Sequence, residues 1–351
     1  MKIVVLAGGI SPERDVSLNS GKMIYDALKQ KEHQVILLDV YLGYQAEIVG
    51  DVAAIFSQNI DWAADIVAIK SESPDIAAVK LRRPDKDKSF FGPNVIGLCQ
   101  AADVVFIALH GESGENGKIQ AFFDLMGICY TGSGHMSSAI AMDKMLAKEL
   151  FGFHKIPTPQ SFALKKGEKK PAALIEYPLI VKANNGGSSV GMTIARTDDE
   201  FALAVDLAFQ YDEIALVEKY IEGREFSIAI LFGKALPVVE IAPKQGFFDY
   251  HNKYQPGATV ETCPAKIPEE AAETLKQYAE KVYQILRLSN YARVDFMMDK
   301  AGNFYCLEAN TLPGMAPTSL LPQEAAVKGI GFGDLCEGII KDALAKNRGI
   351  I

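Results

Sequence analysis

The stretch YARVDFMMDKAGNFYCLEANTLPGM, Tyr291–Met315, reads as two strands folded about a turn, with arms Arg293–Met298 and Phe304–Ala309. Side chains alternate faces along a strand, so Arg293 and Asp295 point the same way from the first arm, and Glu308 and Asn310 point the same way from the second. A four-residue loop, Asp299-Lys300-Ala301-Gly302, places Met298 opposite Asn303 and Arg293 opposite Glu308, with Asp295 diagonal to it. One face then gathers Arg293, Asp295, Glu308 and Asn310, and the other carries Val294, Phe296, Met298, Tyr305, Leu307 and Ala309. A salt-bridged polar patch is the plain alternative. The acids outnumber the single arginine, however, and two carboxylates with an amide oxygen are hard ligands of the kind Mg²⁺ takes. The metal reading is preferred.

Outward from this hairpin, the pattern divides. Lys2–Ala7, Gln34–Val40 and Ala102–Leu109 are apolar strands that alternate with helices at Val16–Gln30 and Ile119–Met126, which predicts a parallel, doubly wound sheet. Gly43–Pro93 carries Pro74, Pro84 and mixed charge and reads as an irregular insertion. An amphipathic helix over Met136–Phe151 leads to the Pro157-Thr158-Pro159 turn. Beyond it lie strands Tyr177–Lys182, Val190–Ala195 and Ala215–Tyr220, a helix near Asp198–Gln210, and the pair Glu225–Leu231 with Leu236–Ile241. A long helix opens with Pro268 and two glutamates, which suit a first turn. This second portion is α+β.

The composition narrows the function. Of 351 residues, 49% are apolar and 23% charged, with a formal net charge of −8 and no long basic run, which argues against nucleic acid or anionic membrane partners. No apolar stretch is long enough to span a bilayer. The start, MKIVVLAGG, runs from a short apolar segment straight into glycines and reads as a first strand, not a leader. Five scattered cysteines without ligand spacing predict free thiols in a reducing cytoplasm, and no zinc site.

Other motifs carry chemistry. In VKANNGGSSVG, Val181–Gly191, the lysine precedes the glycines and a strand follows, unlike a Walker loop; its backbone N–H groups could close over phosphates, with Lys182 as a point charge, or it is a plain hairpin tip. Glu218, at the strand end LVEKYI, could meet an adenine edge or ribose hydroxyls, a weak signal alone. LAGGISPERDVS, Leu6–Ser17, follows the first strand, where ligands of such sheets bind, but lacks a dinucleotide fingerprint. Glu13 could take an ammonium there or cap the helix, and His110, at another strand end, is alone more often structural.

Taken in order, GGISPERDVSLNSG, ALHGESGENGKIQ, YTGSGHMSSAIAMDK, VKANNGGSSVGM, EKYIEGREFS, FFDYHNKY, RVDFMM and LEANTLPGMAPTSLLP resemble the D-alanine–D-alanine ligase family of the ATP-grasp superfamily, from Gly8 to Pro322. The resemblance implies an N-terminal doubly wound α/β domain (1–132) followed by a two-domain ATP-grasp module, with a central lid domain (133–220) and a C-terminal domain (221–351). It implies a cytoplasmic homodimer that joins two D-alanines with ATP, through a D-alanyl phosphate, into the dipeptide of peptidoglycan precursors. Carried over by position, Lys144, Lys182, Ser188, Ser189, Glu218, Lys219, Ile221, Glu225 and Lys253 would line the ATP site. Asp295, Glu308 and Asn310 would hold two Mg²⁺ ions, a role open to Mn²⁺. Glu13 would hold the first D-alanine's ammonium beside His110. Arg293 and the Gly314 N–H would stabilise the acyl phosphate and the oxyanion, and Ser319 and Leu320 would receive the second substrate. Ser188 and Tyr254 would join Glu13 in a network, Lys253 and Tyr254 lying on the family's mobile loop.

Some positions depart from the family pattern. Ala183 replaces a usual Pro, Asn185-Gly186 a charged pair, Asn116 a frequent Asp, and Thr318 a frequent His near the acceptor pocket. Alternatives are a D-alanine–D-serine or D-alanine–D-lactate ligase, the latter disfavoured by Tyr254 where lactate-type members tend to have Phe, and a nucleotide-binding relative without catalysis.

Overall fold

The computed structural model describes residues 1–64, 66, 74–83, 88–168, 175–187, 191–244, 257–316 and 319–347. The chain forms two compact units: Met1–His135 with Ser289–Ala292 and Thr311–Ile351, and Met136–Leu288 with Arg293–Asn310.

The first unit holds β1 (Lys2–Ala7), β2 (Gln34–Asp39) and β3 (Val104–Ile107), parallel throughout in the order β2-β1-β3. A parallel strand covered on both faces reads as a continuous apolar run, and Ile3, Val4, Val5, Leu6 and Ala7 are all fully buried. The helix Arg14–Gln30 makes the first crossover. Its first residue, buried Arg14, donates from Nη1 to the Gly9 carbonyl (2.6 Å) and forms an ion pair with Asp39, which ties the turn after β1 to the end of β2. In the same helix Gly21 faces the sheet. A Cβ there would stand 2.7 Å from Ala7 Cβ and 2.9 Å from Leu37 Cδ1. Alanine is favoured over glycine in a helix by about 1 kcal/mol. Overpacking against a strand costs about 1–3 kcal/mol, and the Ala7 Cβ cannot turn aside. Gly21→Ala is therefore expected to lower the equilibrium unfolding free energy by about 1–2 kcal/mol; an unchanged denaturant midpoint would refute this packing.

The second unit holds two sheets. β4 (Ser161–Lys165), β5 (Leu179–Ala183), β6 (Thr193–Ala195) and β7 (Ile214–Lys219) are antiparallel in the order β4-β7-β5-β6. The helix Asp198–Ala208, capped by the Thr197 side chain accepting from Glu200 N–H, buries Phe201, Ala204 and Ala208 against Leu179, Val181 and Val217. The other sheet contains β8 (Gly223–Leu231), β9 (Lys234–Ala235), β10 (Val239–Pro243), β11 (Thr259–Thr262), β12 (Tyr291–Asp299) and β13 (Phe304–Asn310), in the order β11-β10-β8-β12-β13 with β9 paired to β8.

Several expectations are corrected. The single helix over Met136–Phe151 is two, His135–Met142 and Lys144–Phe153, because the Asp143 side chain caps the second by accepting from Leu146 N–H (3.0 Å). The strand expected at Leu236–Ile241 begins only at Val239, as β10; residues 236–238 lie in the gap after β9, which holds Pro237, a residue without a ladder donor. Helices Leu320–Val327 and Phe332–Asn347 and strands β4 and β11 were not anticipated, and the insertion contains short helices at Val52–Ser57 and Ile76–Leu81.

The decisive hairpin also differs in register. Met298 pairs with Phe304, not Asn303; Arg293 pairs with Asn310 and Asp295 with Glu308, the ladder shifting between Asp295 and Phe296. That bulge gives β13 one extra residue. Phe296 and Cys306 pair on the buried face, whereas Leu307 and Glu308 both line a cavity on the other. Leu307 is thus not on the core face. All five cysteines are free thiols, and burial pushes Cys99 and Cys336 up to about 12. No described helix is long and apolar enough to cross a membrane.

Candidate active site

Within the second unit, the facing ends of β5, β7, β8, β10, β12 and β13 enclose a cavity of about 420 Å³. Lys144, Lys182, Glu218, Lys219, Ile221, Glu225, Asp295 and Glu308, each singled out from sequence, line it together with apolar Ile180, Met192, Ile194, Met297 and Leu307.

Its polar floor is the Asp295 face. Arg293 donates to Asp295 through two bonds, Nε to Oδ1 at 2.9 Å and Nη2 to Oδ2 at 2.8 Å. Asn310 Nδ2 donates to Oδ2 (3.0 Å), and Ser227 Oγ, buried on β8, donates to Oδ1 (2.7 Å). The carboxylate is therefore fixed in direction by three side chains, and Asn310 presents its amide oxygen away from its donating nitrogen. Glu308 lies opposite Asp295, its Oε2 3.6 Å from Lys144 Nζ. Among the described residues no group of three or more His, Cys, Asp or Glu side chains could hold a metal, so the candidate set is two carboxylates and a carboxamide.

The wall carries a chain of buried charges. Glu218 Oε1 is 2.6 Å from Lys148 Nζ, and Oε2 is 2.6 Å from Lys182 Nζ. Burial pushes the Glu218 carboxyl up, but the pull of Lys182 and then Lys148 outweighs this and brings it down to about 2. Lys182 is pushed down by burial yet ends raised, through Glu218 and then Glu308. At Lys148 burial wins and its ammonium is lowered. A shared carboxylate thus supports two lysines in the interior.

The glycine loop is anchored at its base. Lys144 Nζ donates to the Gly186 carbonyl (2.5 Å), Asn184 Nδ2 to Asp143 Oδ1 (2.8 Å), and Asn185 N–H to Asp212 Oδ2 (2.7 Å). Lys219 turns its side chain to the Glu176 carbonyl (3.0 Å). Ser188, Ser189, Lys253, Tyr254 and Thr318 lie outside the described residues.

In the first unit Glu13, His110, Gly314, Ser319 and Leu320 cluster near the ends of the parallel strands. Glu13 is buried, and its Oε2 packs so close to Gly111 that a Cβ there would meet it at 2.5 Å. His110 Nδ1 donates to the Leu312 carbonyl (3.0 Å), leaving Nε2 to accept from Ser20 Oγ (3.0 Å), which also receives Met315 N–H (3.5 Å). Glu115 accepts from Gly111 N–H (2.9 Å) and Leu312 N–H (3.3 Å). Ser319 Oγ accepts from Ala316 N–H (3.1 Å), and a Cβ on Gly314 would meet that Oγ at 2.7 Å.

A family profile described as "D-ala D-ala ligase N-terminus" matches residues 2–133, and one described as "D-ala D-ala ligase C-terminus" matches residues 154–341. The chain belongs to the D-alanine–D-alanine ligase family. It is 43% identical to a D-alanine–D-alanine ligase of Pediococcus pentosaceus over 343 residues, 97% of each chain. It is 41% identical to one of Lacticaseibacillus casei, over 98% of this chain and 96% of that one. The D-alanine–D-alanine ligase of Bacillus anthracis, solved in complex with ATP, superposes with a TM-score of 0.76 at 30% identity, covering 100% of this chain and 99% of that chain. The VanG D-Ala:D-Ser ligase of Enterococcus faecalis gives 0.74 at 28%, covering 97% and 99%. The fold class read from the sequence, a parallel α/β sheet domain followed by an ATP-grasp module, therefore stands, as does the assignment to ligases of this family.

Sequence reading missed Lys148, Thr158, Ser227, Ser20 and Glu115. Two had a signal. Lys148 occupies the inward stripe Lys144, Ala147, Lys148, Phe151, where a lysine demands a partner. Ser227 stands two residues after Glu225 on the same strand face. The other three offered none, since each has a contact remote in sequence: Ser20 with His110, Glu115 with Leu312 and Thr158 with Cys306.

Proposed function

We propose that this chain is an ATP-dependent ligase that joins two D-alanines through a D-alanyl phosphate to give D-alanyl-D-alanine. The observation that carries the reading is one cavity uniting the Asp295 and Glu308 carboxylates with Lys144 and Lys182 beside an apolar slot. A carboxylate and a triphosphate repel each other; fixed cations offset that repulsion, and a closed apolar wall suits a purine.

The donor set fits Mg²⁺: Asp295, Glu308 and Asn310 share a face, supply only hard oxygens, and are oriented by Arg293 and Ser227. When bound, the ions would shield phosphate charge and stabilise the transferred phosphoryl group. Lys182 and Lys144 then hold phosphate oxygens, while Ile221, Lys219 and Glu218 read the base and Glu225 the ribose. Arg293, held rigid by Asp295, stabilises the acyl phosphate. Glu13 takes the first ammonium, His110 supports it, the Gly314 N–H receives the oxyanion, and Ser319 with Leu320 takes the second carboxylate. Ser188, Ser189, Lys253 and Tyr254 keep the roles the family resemblance gives them. The three-part division at 132 and 220, the cytoplasmic setting and a homodimer belong to the same reading.

The test is phosphate release from ATP with D-alanine, D-serine and D-lactate, alone and in pairs, with products identified by mass. The expected product is D-alanyl-D-alanine from D-alanine alone. ATP turnover that needs D-serine as second partner would assign the D-alanine–D-serine activity instead, and no turnover with any pair would overturn the ligase reading.

A further inference from the structure

Behind the cavity wall, Lys148 touches two things that the nucleotide reading leaves unconnected. Its Nζ lies 2.6 Å from Glu218 Oε1 and donates to Thr158 Oγ1 at 2.5 Å. The Thr158 hydroxyl in turn donates to the Cys306 carbonyl (2.8 Å), and Cys306 N–H donates to the Pro157 carbonyl (2.7 Å). Cys306 is the residue just before the β13 bulge, two positions ahead of Glu308. β13 is the last strand of its sheet, so backbone groups on its outer edge have no ladder partners and must be satisfied elsewhere. Here the Pro157-Thr158 segment supplies them.

We propose that Lys148 and Thr158 are positioning residues: a buried brace that ties the nucleotide carboxylate Glu218 to the bulge aiming Glu308, so that nucleotide and metal ion bind cooperatively. The inference rests on the function proposed above. Neither residue lines the cavity; each acts through its neighbours Glu218 and Cys306. The path runs from Lys182 through Glu218, Lys148 and Thr158 to the Cys306 carbonyl, and every link is a hydrogen bond or ion pair between buried or half-buried groups. Thr158 is the narrowest link, because one hydroxyl both accepts from the lysine and donates to the bulge. A brace of this kind shifts the affinity of each ligand in the presence of the other, by reciprocal coupling.

The measurement is the calorimetric Kd for ATP with and without Mg²⁺, whose ratio reports the coupling independently of turnover. In Thr158→Val that ratio is expected to shrink about tenfold, the equivalent of one charge-assisted hydrogen bond. Thr158→Ser, which retains the hydroxyl, restores it, and the KM for D-alanine stays put. Lys148→Met, which keeps the chain length without the charge, is expected to reduce the ratio likewise and carries the test should the valine variant not fold. A lowered Tm with an unchanged ratio would reduce the pair to a structural contact and overturn the proposal. A wild-type protein that binds no ATP at all, with or without Mg²⁺, would overturn the function reading and the brace together; normal wild-type coupling with intact coupling in both variants overturns the brace alone.

Discussion

Glu308→Gln is expected to abolish phosphate release from ATP while leaving the protein folded. The two carboxylates of the floor are not equivalent. Asp295 is matched by the two-pronged contact from Arg293, so its charge is largely compensated inside the protein. Glu308 lies opposite it on β13, lines the cavity and sits 3.6 Å from Lys144 Nζ. Glutamine keeps the shape of the side chain and its bulge position but removes the anion where metal and phosphate charge must balance. Changing a group that only supports a metal ligand costs about 10–100-fold, so removing the ligand's charge should lower turnover by at least about a hundredfold. The side chain is partly open, so stability should change by less than about 1 kcal/mol. Turnover and ATP affinity measured across a Mg²⁺ titration, with unfolding followed in parallel, provide the check. Near-normal rates at saturating Mg²⁺ in a normally folded variant would remove Glu308 from the metal site.

The hairpin that carries Glu308 also shows what the sequence made legible. Alternation put Arg293, Asp295, Glu308 and Asn310 on one face, and they are on one face. The pairing behind that inference was wrong twice: the loop is one residue longer than the four-residue turn, and a bulge adds another. Each error slips the register by one, and because side chains alternate with period two, the slips cancel. Bulges leave no mark in an alternating pattern until both strands are paired, so Leu307 was assigned to the core although it lines the cavity. β1 was legible to its ends because a strand covered on both faces must be apolar throughout. The break at Asp143 was visible only as a capping residue inside an otherwise continuous helical stripe. The Lys148 contact was hidden for a different reason. Its charged partner, Glu218, lies far along the chain, and no local period reports a tertiary ion pair.

Glu218→Gln tests the largest electrostatic commitment in that wall and is expected to destabilise the protein by about 3–5 kcal/mol at neutral pH, the usual consequence of removing one partner from a buried ion pair. Two lysines lose their shared carboxylate at once. Lys182 retains the field of Glu308, whereas Lys148 is left in the interior with only neutral acceptors, Thr158 and the new amide oxygen. The pH dependence distinguishes this from loss of shape. In the wild type the Glu218 carboxyl falls from 4.5 to about 2 on folding, so the unfolded chain binds the proton more tightly. Its stabilisation is full above about pH 4.5 and is lost as the pH falls towards 2. The variant lacks that acid-side loss. On the alkaline side the sign reverses in origin: a lysine whose folded pKa lies below its unfolded value makes the unfolded state bind more protons, so stability rises with pH. Lys148 is already lowered by burial, and without Glu218 it is lowered further. Denaturant unfolding from acid to alkaline pH should therefore show the wild type losing stability in acid, and the variant gaining it towards alkaline pH. Adding Lys148→Met to Glu218→Gln removes the stranded charge and should recover much of the stability, because apolar replacement of buried ion pairs is commonly tolerated. ATP binding should not return with it, since the carboxylate that meets Lys182 is still missing. Parallel stability curves for wild type and the Glu218 variant would show that the two lysines find other partners, and that this triad does not set the charge of the wall.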